Sequence, residues 1–145
     1  MSTQEIGRSS PGNMLRSTGA IVTGMVAVVV LSLSTDLGLR LAGLYPAEGA
    51  PMVEPVLNLL ALCYRCLYNV IGAYIVLVLA SGNGVRLLWI FTLIGFTLAA
   101  IGAVVTISMN LGPSWYPILL ALSPFPCSWL GWKLHRARAS YEAGL

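Results

Sequence analysis

Four apolar blocks, separated by short polar segments, dominate the order of residues along the chain. They run from about residue 17 to 44, 56 to 80, 87 to 109 and 115 to 134. Each is near the roughly 20 residues that a helix needs to cross a hydrocarbon core about 30 Å thick. In a chain of this length, only helices keep their backbone groups paired in lipid. The pattern predicts an all-α polytopic membrane protein with four transmembrane helices in an up-down-up-down bundle.

The segments outside the blocks complete this predicted organisation. Residues 1–16 are polar and rich in Ser, Gly and Pro, which predicts a disordered cytoplasmic tail, and residues 139–145 form a second tail. Residues 17–138 then make a single domain. We interpret the first block as a retained signal anchor, because no small-x-small cleavage site follows it. In the fourth block, Pro124 and Pro126 predict a kink or a broken turn.

Composition and charge support the membrane interpretation and give an orientation. The chain is 57% apolar and 9% charged, whereas a soluble domain carries about 25% charged residues. Six basic residues would lie on one side of the predicted bundle. The loops on the other side carry acidic residues, and only Arg40 adds a positive charge there. The basic set is Arg8, Arg16, Arg86, Lys133, Arg136 and Arg138. The positive-inside rule then puts both termini in the cytoplasm, with the protein in the plasma membrane and lipids as its partners. Topology explains the net charge of +3 better than nucleic-acid binding does.

Two stripes of polar residues interrupt the apolar blocks. Glu54, Asn58, Arg65 and Asn69 follow each other at spacings of 4, 7 and 4, which places them on one face of the second helix. In the first block, Ser32, Asp36 and Arg40 repeat every four residues. Arg65 would lie roughly 15 Å into its helix, where a charge costs about 2.5–3.5 kcal/mol. A cost of that size indicates a partner, a water-filled cavity or a functional role.

The directions of the side chains select the partner of Arg65. Helical side chains lean toward their own N-terminus, so Asp36 and Arg65 lean toward each other from antiparallel helices. We predict an Asp36–Arg65 ion pair inside the bundle, where Asn58, Tyr68 and Asn69 satisfy the remaining donors and acceptors. With Arg40, these residues form the candidate binding cluster. The pair could equally serve only to fix the register of the helices.

Cys63 and Cys66 form a C-x-x-C pair inside the second block, and Cys127 is the only other cysteine. The spacing suggests a redox site, as in quinone-coupled disulfide-forming membrane proteins and the vitamin K epoxide reductase family, which are also four-helix bundles. Those proteins relay electrons through a second cysteine pair, whereas Cys127 is predicted to lie near the other membrane face. The first two thiols also point away from the polar stripe. We therefore favour structural thiols that act as small apolar residues.

Small residues mark one face of the third block. Gly95, Ala99 and Gly102 are spaced by 4 and 3, a pattern that lets helices approach closely in lipid. The face could pack within its own bundle or between copies in a homo-oligomer. Elsewhere the sequence has no metal-ligand spacing, nucleotide-binding loop or nucleophile–base arrangement. We therefore expect no metal, no cofactor, no catalytic residue and no enzymatic activity.

Four short motifs carry a resemblance to known proteins: LSLSTD at 31–36, GLYPAEGAPM at 43–52, YRCLYNVIGAY at 64–74 and GPSWYP at 112–117. Together they resemble a set of small four-span bacterial membrane proteins of unassigned function. The resemblance implies a bacterial inner membrane, but it implies no reaction or ligand.

Three hypotheses for the function follow from the sequence. The leading one is a non-enzymatic membrane protein that binds a small molecule or a lipid headgroup in an outer-half polar cavity. A small-solute transporter resembling the small multidrug resistance proteins is an alternative. Those proteins depend on a midplane acid in the first span, and residues 21–31 contain none. A quinone-linked thiol oxidoreductase is the second alternative, and a structural subunit of a larger complex also stays open.

Overall fold

All regular structure in the described residues is helical. The computed structural model describes residues 11–47 and 49–144. Its helices are α1 (Pro11–Leu41), α2 (Pro55–Leu79), α3 (Gly84–Ser108), α4 (Trp115–Leu122) and α5 (Pro124–Ala143). Three of them are long and apolar enough to cross a membrane, over Gly12–Leu41, Pro55–Leu79 and Gly84–Ser108. The predicted all-α class is confirmed.

Two helices extend into segments that were predicted to be tails. α1 begins at Pro11 rather than near residue 17, so residues 11–16 are helical, and residues 1–10 lie outside the described residues. Proline fits the first turn of a helix, where its missing N–H needs no intrahelical acceptor. α5 continues to Ala143, and Arg138 pairs there with Glu142 at i,i+4 spacing, 2.8 Å apart. The predicted C-terminal tail is therefore mostly the last turns of α5.

The fourth apolar block is divided between two helices, which confirms the predicted break. α4 ends at Leu122 and α5 begins at Pro124. Pro124 has no N–H to donate to the carbonyl of Leu120 four residues before it. The Ser123 hydroxyl donates to that carbonyl instead, at 2.8 Å. Because Ser123 keeps helical backbone angles, the chain passes from α4 into α5 through this single residue.

Contacts between helices give their relative directions. Gly24 lies against Gly72, and further along α1 Asp36 contacts Arg65, so α1 and α2 are antiparallel. α3 is antiparallel to α4 and α5, since the rings of Phe96 and Phe125 are 5.4 Å apart and Thr92 contacts Ser128. α2 runs parallel to α4 and α5, as its contacts with Tyr116 and Gly131 show. α2 thus lies between α1 and α5, and both halves of the broken helix contact it.

Close approach between helices depends on glycines other than those predicted. A Cβ atom on Gly24 would lie 2.6 Å from Cγ2 of Val76, and one on Gly72 would lie 2.4 Å from Cγ2 of Val28. A Cβ atom on Gly131 would lie 2.8 Å from that of Ala73. These distances are too short for any side chain larger than hydrogen. α1 and α5 therefore approach α2 closely at these glycines.

The predicted small-residue face of α3 plays a smaller part within the chain. A Cβ on Gly95 would make an ordinary contact with Pro124 at 3.9 Å, and Ala99 is half-buried. Gly102 is exposed, and no atom of the described residues lies within 4 Å of the Cβ it would carry. The prediction that Gly102 packs within its own bundle is therefore wrong. A face of small residues allows close approach only where another helix lies opposite it, and in the described part of the chain no helix lies opposite Gly102. Packing between copies stays a prediction.

The buried core is small and lies near the connection between α2 and α3. It consists of Ala73, Val76, Leu77, Leu87, Leu88 and Phe91. Many other large apolar side chains are exposed on every helix, for example Val22, Val26, Val29, Leu33 and Leu37 along α1. Outside this core, the helices turn most of their large aliphatic side chains outward.

Candidate functional site

The predicted ion pair between α1 and α2 is present. Nη2 of Arg65 lies 2.7 Å from Oδ2 of Asp36, within hydrogen-bond distance. The side chain of Asp36 is 14% exposed and that of Arg65 is 28% exposed, so water or a ligand can still reach the pair. Asp36 is near the end of its helix, whereas Arg65 is well inside its own. The contact forms because the two side chains lean toward each other, as predicted.

Two tyrosines complete the hydrogen bonding of the ion pair. The Tyr64 hydroxyl donates to Oδ1 of Asp36, so both carboxylate oxygens are bound. Arg65 donates through Nη1 to the hydroxyl of Tyr116, at 2.8 Å. Tyr45 donates to the Tyr64 hydroxyl at 3.5 Å. The pair thus links α1, α2 and α4 through charge-assisted hydrogen bonds, which are stronger than neutral ones.

Sequence reasoning missed Tyr64 and Tyr116 as partners of the pair. Tyr64 precedes Arg65 by one position, about 100° around the helix, so a search along one helical face passes over it. Tyr116 lies in the fourth apolar block, outside both polar stripes. The GPSWYP motif was the available signal for Tyr116, because it places a tyrosine at the start of the fourth apolar block.

Two predicted members of the cluster form their hydrogen bonds with groups outside the ion pair. Asn58 is 2% exposed, and its amide donates to the carbonyls of Met52 at 2.8 Å and Glu54 at 3.0 Å. It therefore holds the loop that enters α2, about two helical turns from Arg65. Tyr68 shares a hydrogen bond with the Thr35 hydroxyl at 2.7 Å. The prediction that Asn58 and Tyr68 complete the ion pair is wrong, because nearer polar groups satisfy both.

Asn69 and Arg40 lie beside the pair. The Asn69 amide donates to the backbone carbonyl of Arg65, one turn earlier, at 3.1 Å, and not to the charged groups of the pair as predicted. It also shares a cleft with the ion pair. Arg40, exposed one turn beyond Asp36, lines a second cleft with the pair. The structure therefore groups four of the six predicted residues, with Asp36 and Arg65 in direct contact.

The ion pair borders two clefts. The loop-side cleft has a volume of about 160 Å³ and is lined by Arg40, Tyr45, Tyr116 and the loop after α1. The interhelical cleft has a volume of about 270 Å³ and lies among α1, α2, α3 and the α4–α5 break. Asp36 and Arg65 line both. Among the described residues they are the only ones that the two linings share, so the pair forms the partition between the clefts.

The electrostatics of this partition follow from the chemistry of its groups. A guanidinium stays protonated in proteins and presents five N–H donors. In the described part of the chain, Nε of Arg65 is buried and has no acceptor. An unmet donor of a charged group costs at least about 1–3 kcal/mol. The pair and Tyr116 use two of the five N–H donors, through Nη2 and Nη1. The site is therefore a pair of opposite charges with guanidinium donors left over, which suits binding a polar or anionic group.

The cysteines lie in different surroundings from those predicted. Cys63 is exposed on α2, whereas the side chain of Cys66 contacts the buried Cys127 of α5. The prediction that Cys127 lies near the other membrane face is therefore wrong: the parallel course of α2 and α5 brings it level with Cys66. The two members of the C-x-x-C pair do not share one environment. Among the described residues, no group of three or more His, Cys, Asp or Glu side chains could hold a metal ion.

No protein-family model, curated protein or solved structure matches the chain. The site is accordingly interpreted from its own geometry. The resemblance to small four-span bacterial membrane proteins stays a prediction.

Proposed function

We propose that the chain is an inner-membrane protein that crosses the bilayer four times, with α4 and α5 together as the fourth crossing. Three long apolar helices support this proposal, as do the exposed aliphatic side chains on every helix. Contiguous apolar surface of this kind marks contact with a membrane or with other proteins. In this arrangement the termini and most basic residues lie on the cytoplasmic side, and the Asp36–Arg65 pair lies in the outer half.

Within this bundle, the function that the geometry supports best is binding a small polar molecule or a lipid headgroup at the ion pair. One observation carries the proposal: the partition between the two clefts is itself the charged pair. A ligand in either cleft would meet Arg65 and Asp36. An anionic or hydrogen-bond-accepting group would be attracted to the guanidinium. The lower polarity between the helices strengthens that attraction relative to water.

Exposure of the pair also favours a binding role over a purely structural one. A pair that only fixed helix register would gain most from complete enclosure and full hydrogen bonding. Here Arg65 is 28% exposed, and its Nε has no acceptor among the described residues. We expect an incoming ligand to add hydrogen bonds that the protein alone does not supply.

Native mass spectrometry of the protein, released gently from membranes, tests this proposal. Ala99 lines the interhelical cleft, whereas Gly102 lies one turn further along α3 and faces open space. We expect the wild type and Gly102→Phe to retain a small molecule or lipid that Ala99→Phe loses, because only the second ring fills the cleft. The same bound mass in all three proteins, or none in any, would contradict binding at this site.

A further inference from the structure

A third cavity, separate from the ion pair, lies between α3 and α5. This groove has a volume of about 380 Å³ and shares no lining residue with the two clefts described above. Half of its lining residues are aromatic, and these include Trp89 from α3 and Trp129 and Trp132 from α5. The volume falls within the roughly 300–1,000 Å³ typical of ligand sites. The groove is thus large enough for a ligand and presents chiefly apolar surface.

The polar groups in the groove are already paired with each other. The Thr92 hydroxyl is 2.7 Å from the Leu88 carbonyl and 2.7 Å from the Ser128 hydroxyl. Each hydroxyl has one hydrogen. Thr92 is the donor in both contacts, which share its one hydrogen, and Ser128 accepts from it. Both residues are also buried, so this part of the groove presents chiefly apolar surface and suits a hydrocarbon chain better than a carbonyl or a quinone ring.

Two cations lie against the same aromatic walls. Nζ of Lys133 is 5.0 Å from the centre of the Trp129 ring, and the Arg136 guanidinium carbon is 4.8 Å from that of Trp132. Each cation follows its tryptophan by four residues and leans back over it. Both basic side chains are exposed. The groove therefore combines an apolar interior with a doubly positive edge.

We propose that this groove binds an anionic phospholipid, with an acyl chain between the tryptophans and the phosphate at Lys133 and Arg136. The positive charge at the groove edge favours an anionic headgroup, and the paired hydroxyls inside the groove favour an apolar chain. A zwitterionic lipid would offer the same chain but a weaker net attraction. Basic pockets between helices on the cytoplasmic side bind anionic headgroups in this way. The inference rests on the membrane insertion proposed above and is independent of the ligand at Asp36–Arg65.

Quenching of tryptophan fluorescence by brominated lipids tests the proposal on the full chain in vesicles. Trp115 is replaced by Phe in every protein, so that the emission comes from Trp89, Trp129 and Trp132, the three that line the groove. Brominated phosphatidylglycerol and brominated phosphatidylcholine are compared at equal mole fraction. We expect stronger quenching by phosphatidylglycerol, because its net negative charge is attracted more strongly to the two cations.

Two double variants test whether the preference for phosphatidylglycerol arises at the groove. In Lys133→Gln/Arg136→Gln, we expect the preference for phosphatidylglycerol to fall by about five-fold for each residue. The matched control, Arg16→Gln/Arg138→Gln, removes the same charge away from the groove and should keep the preference. Arg138 is already bonded to Tyr74 and Glu142. All four side chains are exposed, so folding should be unaffected.

The outcomes separate this inference from the membrane proposal. Equal quenching by the two lipids, or an equal loss in both double variants, would overturn the anionic-lipid site while leaving membrane insertion intact. An absence of quenching by either brominated lipid would overturn both. A preference that disappears only in the Lys133/Arg136 variant supports the site.

Discussion

Removing the charge of either partner in the Asp36–Arg65 pair should destabilise the protein strongly. At the observed separation of 2.7 Å, two unit charges attract each other by about 6 kcal/mol at an effective dielectric constant of about 20. Desolvation of both groups offsets much of that attraction. Loss of one partner, however, leaves the other charge unpaired, which typically costs about 3–5 kcal/mol. Because Arg65 is 28% exposed, we expect about 3 kcal/mol for Asp36→Asn and for Arg65→Gln.

The double variant distinguishes direct pairing from two independent effects. Asp36→Asn/Arg65→Gln leaves no unpaired charge, and it no longer carries the cost of a guanidinium between apolar helices. We expect it to lose about 2–3 kcal/mol in total, so the coupling energy should be about 3–4 kcal/mol. The assay is reversible unfolding in mixed micelles of a mild detergent and dodecyl sulfate, followed by circular dichroism.

An exposed control on the same helix completes the measurement. Arg16→Gln removes a charge from the first turns of α1, where solvent screens it, and should change the stability by no more than about 1 kcal/mol. If the effects of the two single substitutions at the pair simply added, within about 0.5 kcal/mol, direct pairing would be refuted. The reasoning about the partition between the clefts would then fail as well.

Three further predictions follow from contacts elsewhere in the bundle. Tyr116→Phe leaves a guanidinium N–H without its acceptor and should lower the free energy of unfolding by about 1–3 kcal/mol, measured in the same micelles; an unchanged value would contradict the contact. Gly72→Ala should destabilise by at least about 1–3 kcal/mol through overpacking, whereas Gly102→Ala should be neutral or stabilising by up to about 1 kcal/mol; equal effects would refute the close contact between α1 and α2. Copper phenanthroline should oxidise Cys66 with Cys127, detected as a two-hydrogen mass loss in the intact chain that Cys127→Ala abolishes. A mass loss that survives this substitution would point to the C-x-x-C pair instead.

The helices and the central ion pair could be predicted because both depend on local rules. Apolar runs of this length favour helices. A proline inside a helix interrupts it, since proline lacks the required N–H, and Pro124 does so here. The Asp36–Arg65 pair needed only helical spacing, antiparallel neighbours and the lean of side chains toward the N-terminus. Each of these rules acts within one helix or between chain neighbours, so the sequence contains the necessary information.

The hydrogen-bond partners of the pair could not be predicted in the same way. Tyr64 and Tyr68 both flank Arg65, and only the placement of α1 decides that Tyr64 reaches the carboxylate while Tyr68 reaches Thr35. Asn58 shares the predicted face, but the loop before α2 folds back over it and takes its amide. The pattern of a helical face shows in which direction a side chain points but not how far away its partners lie. The sequence therefore does not show which loop groups compete for its hydrogen bonds.

The sequence by itself determined the helical class, the positions of the apolar blocks, the break at Pro124 and the pairing of Asp36 with Arg65. Only the tertiary structure decided that Gly24 meets Gly72, that Cys66 meets Cys127 and that the ion pair separates two clefts. The physical reason is the distance along the chain over which each kind of contact acts. Spacing along one helix fixes which side chains share a face, whereas the contacts and cavities between helices depend on how closely particular helices approach. That approach is set by small residues meeting across an interface, far apart in the chain.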